Sequence, residues 1–172
     1  GWQLQSPLNG NRAYHTSTLL TDGSILTCGG SDGFTALDTC EWKNPATNKW
    51  EYVGNMNSPR ARHTATLLPN GNVLLAGGST GAGTASVETA EIYYPTTKSC
   101  VTTSAMSNPR LNHTATLLPD GNVLVAGGSS VGVYSPTAEV FITTSTSWES
   151  AGSMTTGRAQ HTATLLKNGR VL

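Results

Sequence analysis

The stretch RARHTATLLPNGNVLLAGG, residues 60–78, decides the fold. It joins two short apolar runs through Pro69-Asn70-Gly71-Asn72. An Asn-Gly pair between such runs is a strong hairpin signal. The first run reads as a strand from His63 to Leu68. The second, Val73 to Ala76, is apolar at every position, which suggests burial on both faces. Gly77-Gly78 ends it. A third strand is expected at Ala90–Tyr94, stopped by Pro95, and a fourth around Cys100–Thr103.

This unit recurs. His-Thr-x-Thr-Leu-Leu starts at His15, His63, His113 and His161, at spacings of 48, 50 and 48 residues. A period near 50 marks propeller blades. An Arg stands three residues before each His: Arg12, Arg60, Arg110 and Arg158. Gly-Gly pairs follow at 29–30, 77–78 and 127–128, and then come Glu41, Glu91 and Glu139. Trp50 and Trp148 close units one and three, where unit two has Cys100, and Trp2 continues the series upstream. Variable Gly/Ser/Thr loops at 31–37, 79–87 and 129–135 separate the second and third strands.

The chain therefore divides into a last strand of a preceding blade at 1–8, blades at 9–56, 57–106 and 107–154, and the start of another at 155–172. Each blade is expected to be a four-stranded antiparallel sheet with its first strand innermost. Nothing holds a helical period over a useful length. The part-units at both ends predict that the remainder of a propeller, or neighbouring subunits, cover them, and that the segment is not an independent monomer.

Composition narrows the function. The 172 residues carry no net charge, and charged residues make up 12%, about half the usual share. That argues against nucleic-acid partners, which need a basic excess. No apolar run approaches the roughly 18 residues of a membrane span.

Arg-x-x-His-Thr-Ala-Thr-Leu-Leu-Pro-x-Gly-x-Val-Leu-x-Ala-Gly-Gly, then Ala-Glu, an aromatic and a Pro, then Trp, resembles kelch repeats. In style it is most similar to bacterial extracellular and galactose-oxidase-like kelch proteins. The resemblance implies an all-β, kelch-type β-propeller. The chain would supply about 3.5 blades of a ring of six or seven, which needs about 300 residues at this period.

The four His look like metal ligands at first sight. Each occurs once per blade at one register, however, and a packing residue is needed in every blade whereas a catalytic one is needed once. The expectation is a structural role, with no metal, no cofactor and no catalytic residue in this segment. Tyr14-His15 matches the Tyr-His pair of the copper site in galactose-oxidase-like enzymes only weakly, because His15 is the repeat His. The Arg and Glu series are expected to pair, tying strand one to strand three within one blade or between neighbours. Trp50 and Trp148 are expected to be largely buried between blades.

Cys28 and Cys40 replace an Ala in each sibling unit, on strands expected to be neighbours. Either they form a disulfide or both are small buried thiols. Asn112-His113-Thr114 is an N-glycosylation sequon at the start of a strand. These features lean towards a secreted or extracellular protein.

A propeller is a scaffold whose function sits in its loops. The leading expectation is a non-catalytic binding or structural module recognising a protein or glycan partner. The alternatives are the propeller portion of a copper-radical oxidase with its ligands elsewhere, and an intracellular adaptor for protein degradation.

Overall fold

The computed structural model describes residues 6–81 and 85–172; Trp2 lies outside them. Among the described residues there are fourteen strands and no helix. Twelve of the strands form three antiparallel sheets of four. The first holds β1 (Thr16–Leu19), β2 (Ile25–Cys28), β3 (Thr39–Lys43) and β4 (Trp50–Asn55), in that order. The second holds β5 (Thr64–Leu67), β6 (Val73–Ala76), β7 (Ala90–Tyr94) and β8 (Ser99–Thr102). The third holds β9 (Thr114–Leu117), β10 (Val123–Ala126), β13 (Thr137–Ile142) and β14 (Ser147–Ser153). These are propeller blades. Strands β1, β5 and β9 neighbour one another across blades, so each first strand is the innermost.

The turn that decided the reading closes by local hydrogen bonds. Gly71 N donates to Leu68 O at 2.9 Å, and Asn72 N to the Asn70 side-chain carbonyl at 3.1 Å. Asp120 holds Asn122 N in the same way, at 3.0 Å. Asx side chains that bond the backbone two residues on make this turn recur.

The core lies between blades rather than within one. Because side chains alternate across a strand, β6 serves two interfaces. Val73 and Leu75, with Tyr93, pack against Leu26, Cys28 and Cys40 of the first blade. Leu74 and Ala76, with Ala90 and Ile92, pack against Val123 and Phe141 of the third. All four side chains of β6 are buried, as its unbroken apolar run requires.

One expectation needs correcting. The loop at 129–135 is not irregular: β11 (Ser129–Ser130) and β12 (Val133–Tyr134) form a small hairpin around Val131-Gly132. Trp50 and Trp148 are each partly exposed, and Trp148 packs against the cluster between the second and third blades. They lie at the outer rim, where each indole fastens its blade to the one before. Trp148 Nε1 donates to Ser104 O at 3.0 Å, and Ser104 Oγ donates to Thr146 O at 2.7 Å. Trp50 Nε1 and Ser6 repeat both bonds, at 3.0 and 2.7 Å, the second to Asn48 O.

Between the first and second blades this clip is absent. Cys100 stands in the Trp slot, half-buried and not disulfide-bonded. Gly54 stands in the Ser slot, where a Cβ would lie 3.1 Å from Lys98 O. The rims close by approach instead, and Lys98 Nζ sits 4.9 Å from the centre of the Trp42 ring.

Cys28 and Cys40 face each other in register and are joined by a disulfide. The sibling blades put Ala76 against Ala90 and Ala126 against Ala138 at this place. The bond closes a loop of sequence separation 12, worth on the order of 3 kcal/mol in the chain-entropy account. Cys28→Ala/Cys40→Ala should keep the far-UV circular dichroism spectrum. It should lose about 3 kcal/mol in urea unfolding; an unchanged midpoint would count against the cross-link.

Candidate functional site

The repeat Arg, His and Glu form one scaffold that ends in a collar. Arg60 belongs to two blades at once. Its backbone is bonded to the first: Arg60 N donates to Leu37 O at 3.0 Å, and Gly30 N donates to Arg60 O at 2.7 Å. Its guanidinium is bonded to the second, donating to Gly77 O at 3.0 Å, Thr89 O at 2.8 Å and Glu91 Oε1 at 2.7 Å. Arg60 and Glu91 are both fully buried. Arg12 meets Glu41 at 2.6 Å and Arg110 meets Glu139 at 2.7 Å. Every pair thus lies within one blade. Arg158 is exposed, and its Nε donates to Thr156 O at 3.5 Å.

Each Glu also gathers the chain arriving from the preceding blade. Glu91 Oε2 accepts from Asn57 N at 2.7 Å and Asn57 Nδ2 at 2.8 Å, and Oε1 accepts from Ser58 N at 3.1 Å. Asn9 does the same for Glu41, and the backbone amides of Ser107 and Asn108 serve Glu139. Sequence reasoning missed these partners. The available signal was Asn9 and Asn57, each three residues before a repeat Arg.

The Gly-Gly pairs make this approach possible. A Cβ on Gly29 would lie 2.3 Å from Arg60 O, and one on Gly30 would lie 2.6 Å from Ala13 O. No side chain fits there.

The histidines latch successive first strands together. His63 Nε2 lies 2.8 Å from Thr16 Oγ1, His113 Nε2 lies 2.9 Å from Thr64 Oγ1, and His161 Nε2 lies 3.1 Å from Thr114 Oγ1. His15 Nδ1 donates to Arg12 O at 3.1 Å. Burial, then the positive charges of Arg60 and Arg110, push His63 and His113 down to about 3. His161 is lowered by burial and by Arg158. Among the described residues no three of His, Cys, Asp or Glu are grouped to hold a metal.

Directly before each repeat His the backbone turns left-handed. Tyr14, Arg62, Asn112 and Gln160 have φ between 53° and 58°. A non-glycine residue with positive φ is uncommon, and here it recurs in every unit because it hands a hydrogen bond to the next blade. Arg62 N donates to Tyr14 O at 3.0 Å, Asn112 N to Arg62 O at 3.1 Å, and Gln160 N to Asn112 O at 2.9 Å. This collar rims a cavity of about 260 Å³ walled by the four repeat histidines. Its four side chains differ while the frame beneath them repeats. The Arg62 guanidinium lies 4.2 Å from the centre of the Tyr14 ring, within reach of a cation–π contact.

The loops between second and third strands open on the same end as the collar, since Ser31, Ser79 and Ser129 bridge to Ala13, Ala61 and Leu111. They carry exposed apolar side chains. Phe34 is 86% exposed, at the tip of a turn that Asp32 holds by accepting from Phe34 N and Thr35 N. Val131, Val133 and Tyr134 are 75%, 70% and 62% exposed on the β11–β12 hairpin. Val131 has φ 49°, a costly conformation for a β-branched residue. Asn112, the sequon residue, is half-buried in the collar, and Thr114 of the same sequon is engaged by His161.

The family model described as Kelch motif matches residues 12–57, a span that contains the first blade. No curated protein matches the chain significantly.

Two measurements test this scaffold. Glu91→Gln leaves Arg60 buried without a counter-charge, which costs about 3–5 kcal/mol. The exposed control Glu149→Gln should stay within about 0.5 kcal/mol of the parent. Equal unfolding midpoints for the two variants would remove the pair from its central role.

The second concerns pH. His63 and His113 titrate near 3 when folded, against 6.5 ordinarily. Between those values the unfolded chain binds protons that the folded one does not. Stability is therefore complete above about pH 6.5 and falls as pH drops towards 3, by up to about 1.4 kcal/mol per pH unit for each His. His63→Gln/His113→Gln should flatten the dependence of urea midpoint on pH from 7 to 5. An undiminished slope would assign it to other groups.

Proposed function

We propose that the chain is a non-catalytic binding module of an extracellular propeller protein. It takes a protein or glycan partner on the end formed by the collar and the loops between second and third strands. The observation that carries this reading is where the sequence departs from its own repeat. At the opposite end the turns at Asp22-Gly23, Asn70-Gly71, Asp120-Gly121 and Asn168-Gly169 are nearly copies of one another. At the collar end, equivalent positions carry Tyr, Arg, Asn and Gln, and equivalent loops carry Phe34 or the Val131–Tyr134 hairpin.

Packing does not require these side chains, since they are exposed or half-buried. Val131 holds a strained turn where Asn or Gly would be comfortable. Exposed apolar side chains set among polar ones are the usual composition of a recognition surface. The kelch repeats support a protein-binding or structural role, and the Cys28–Cys40 disulfide supports an oxidising compartment.

The test compares two variants on a panel of immobilised glycans and folded extracellular domains. Phe34→Ala/Val131→Gly/Tyr134→Ala alters the collar end, and Asn70→Asp/Asn168→Asp alters the opposite turns. Ligands that bind the parent should weaken about tenfold or more with the first variant and persist with the second. The reverse pattern would move the binding site to the other end.

A further inference from the structure

Resting on that reading, we propose that the collar cavity is a subsite for an acidic sugar. It would hold one hexuronate ring, with the sugar carboxylate against Arg62. The charge pattern comes first. Arg60 and Arg110, each two residues before a collar residue, have their guanidinium groups on Glu91 and Glu139. Arg62 has no carboxylate partner and no side-chain hydrogen bond among the described residues, and no Asp or Glu lines the cavity. Its one fixed contact is the face of Tyr14. Stacking orients a guanidinium while leaving its edge of N–H donors free, the arrangement that takes a carboxylate in a fork.

The other three collar side chains are neutral and can both donate and accept. Tyr14 has a hydroxyl, and Asn112 and Gln160 have amides; among the described residues none of the three spends its side chain on a protein hydrogen bond. Sugar hydroxyls likewise donate and accept. Burial disfavours the charged form of His63 and His113 in the walls. One cation beside three donor–acceptor groups suits one carboxylate beside several hydroxyls. A peptide bearing a run of carboxylates would find a single counter-charge.

Calorimetric titration of the full chain tests this with four probes: methyl β-D-glucuronoside, methyl β-D-glucoside, acetate and tetraglutamate. The glucuronoside should bind about tenfold or more tightly than either the glucoside or acetate, since a hydrogen bond to a charged group is worth at least that factor. Arg62→Gln should abolish the preference. Asn112→Ala and Gln160→Ala should weaken both sugars alike, and the melting curve of each variant confirms its fold. Equal affinities for the two sugars would overturn the proposal, as would a preference that survives Arg62→Gln. Tighter binding of tetraglutamate would give the site to acidic peptides instead. If the panel ligands still depend on Phe34, Val131 and Tyr134 while the glucuronoside is ignored, only this subsite fails and the binding-module reading stands.

Discussion

The buried guanidinium groups of Arg12, Arg60 and Arg110 are the constraint on which the three blades depend. A charge taken out of water is costly unless it is paired and its donors are filled. Arg60 meets this cost with a carboxylate and two carbonyls of its own blade. Its backbone, meanwhile, is bonded to the blade before. Neither blade can shift without breaking bonds to a group that has no access to water. Hydrophobic packing between sheets is less directional, so the Arg–Glu pair sets register where Leu and Val contacts supply most of the cohesion.

That arrangement explains how the side chains of one end can vary above a frame that does not. The collar backbone is fixed by bonds that do not involve side chains: an amide of one blade to a carbonyl of the previous one. The left-handed turn before each His is imposed by this geometry, so any residue that tolerates it can stand there. Tyr14, Arg62, Asn112 and Gln160 are therefore free to differ. The left-handed turn recurs in all four units.

The fold was legible because its causes are local and repeated. The Asn-Gly turn, the unbroken apolar run of β6 and the Gly-Gly pair each state their role in a few residues, and the period near 50 assembles them into blades. The Cys28–Cys40 alternatives were resolved by register alone, because the two Ala slots face each other. Less could be read at the rim. Trp50 and Trp148 look like core residues by type, yet each uses its indole N–H, and a polar handle of that kind favours a boundary over an interior. The collar escaped notice because its signal is inverted: the informative residues are those that fail to repeat. The Val131 hairpin was hidden by composition, since Ser, Gly and Val in a short loop do not announce paired strands.

The rim seams show which segments can be exchanged between blades. Ser104 closes its clip on Trp148, a residue of the following blade, while Gly54 and Cys100 form the alternative seam. The matched partners are never in the same blade. A recombination event that moved one whole blade would separate Ser from its Trp at one border and set Ser against Cys, or Gly against Trp, at the next. A cassette running from Gly54 to Cys100, or from Ser104 to Trp148, would carry each seam intact. An exchange that preserved these contacts would follow the junction, offset by a strand from the visible blade.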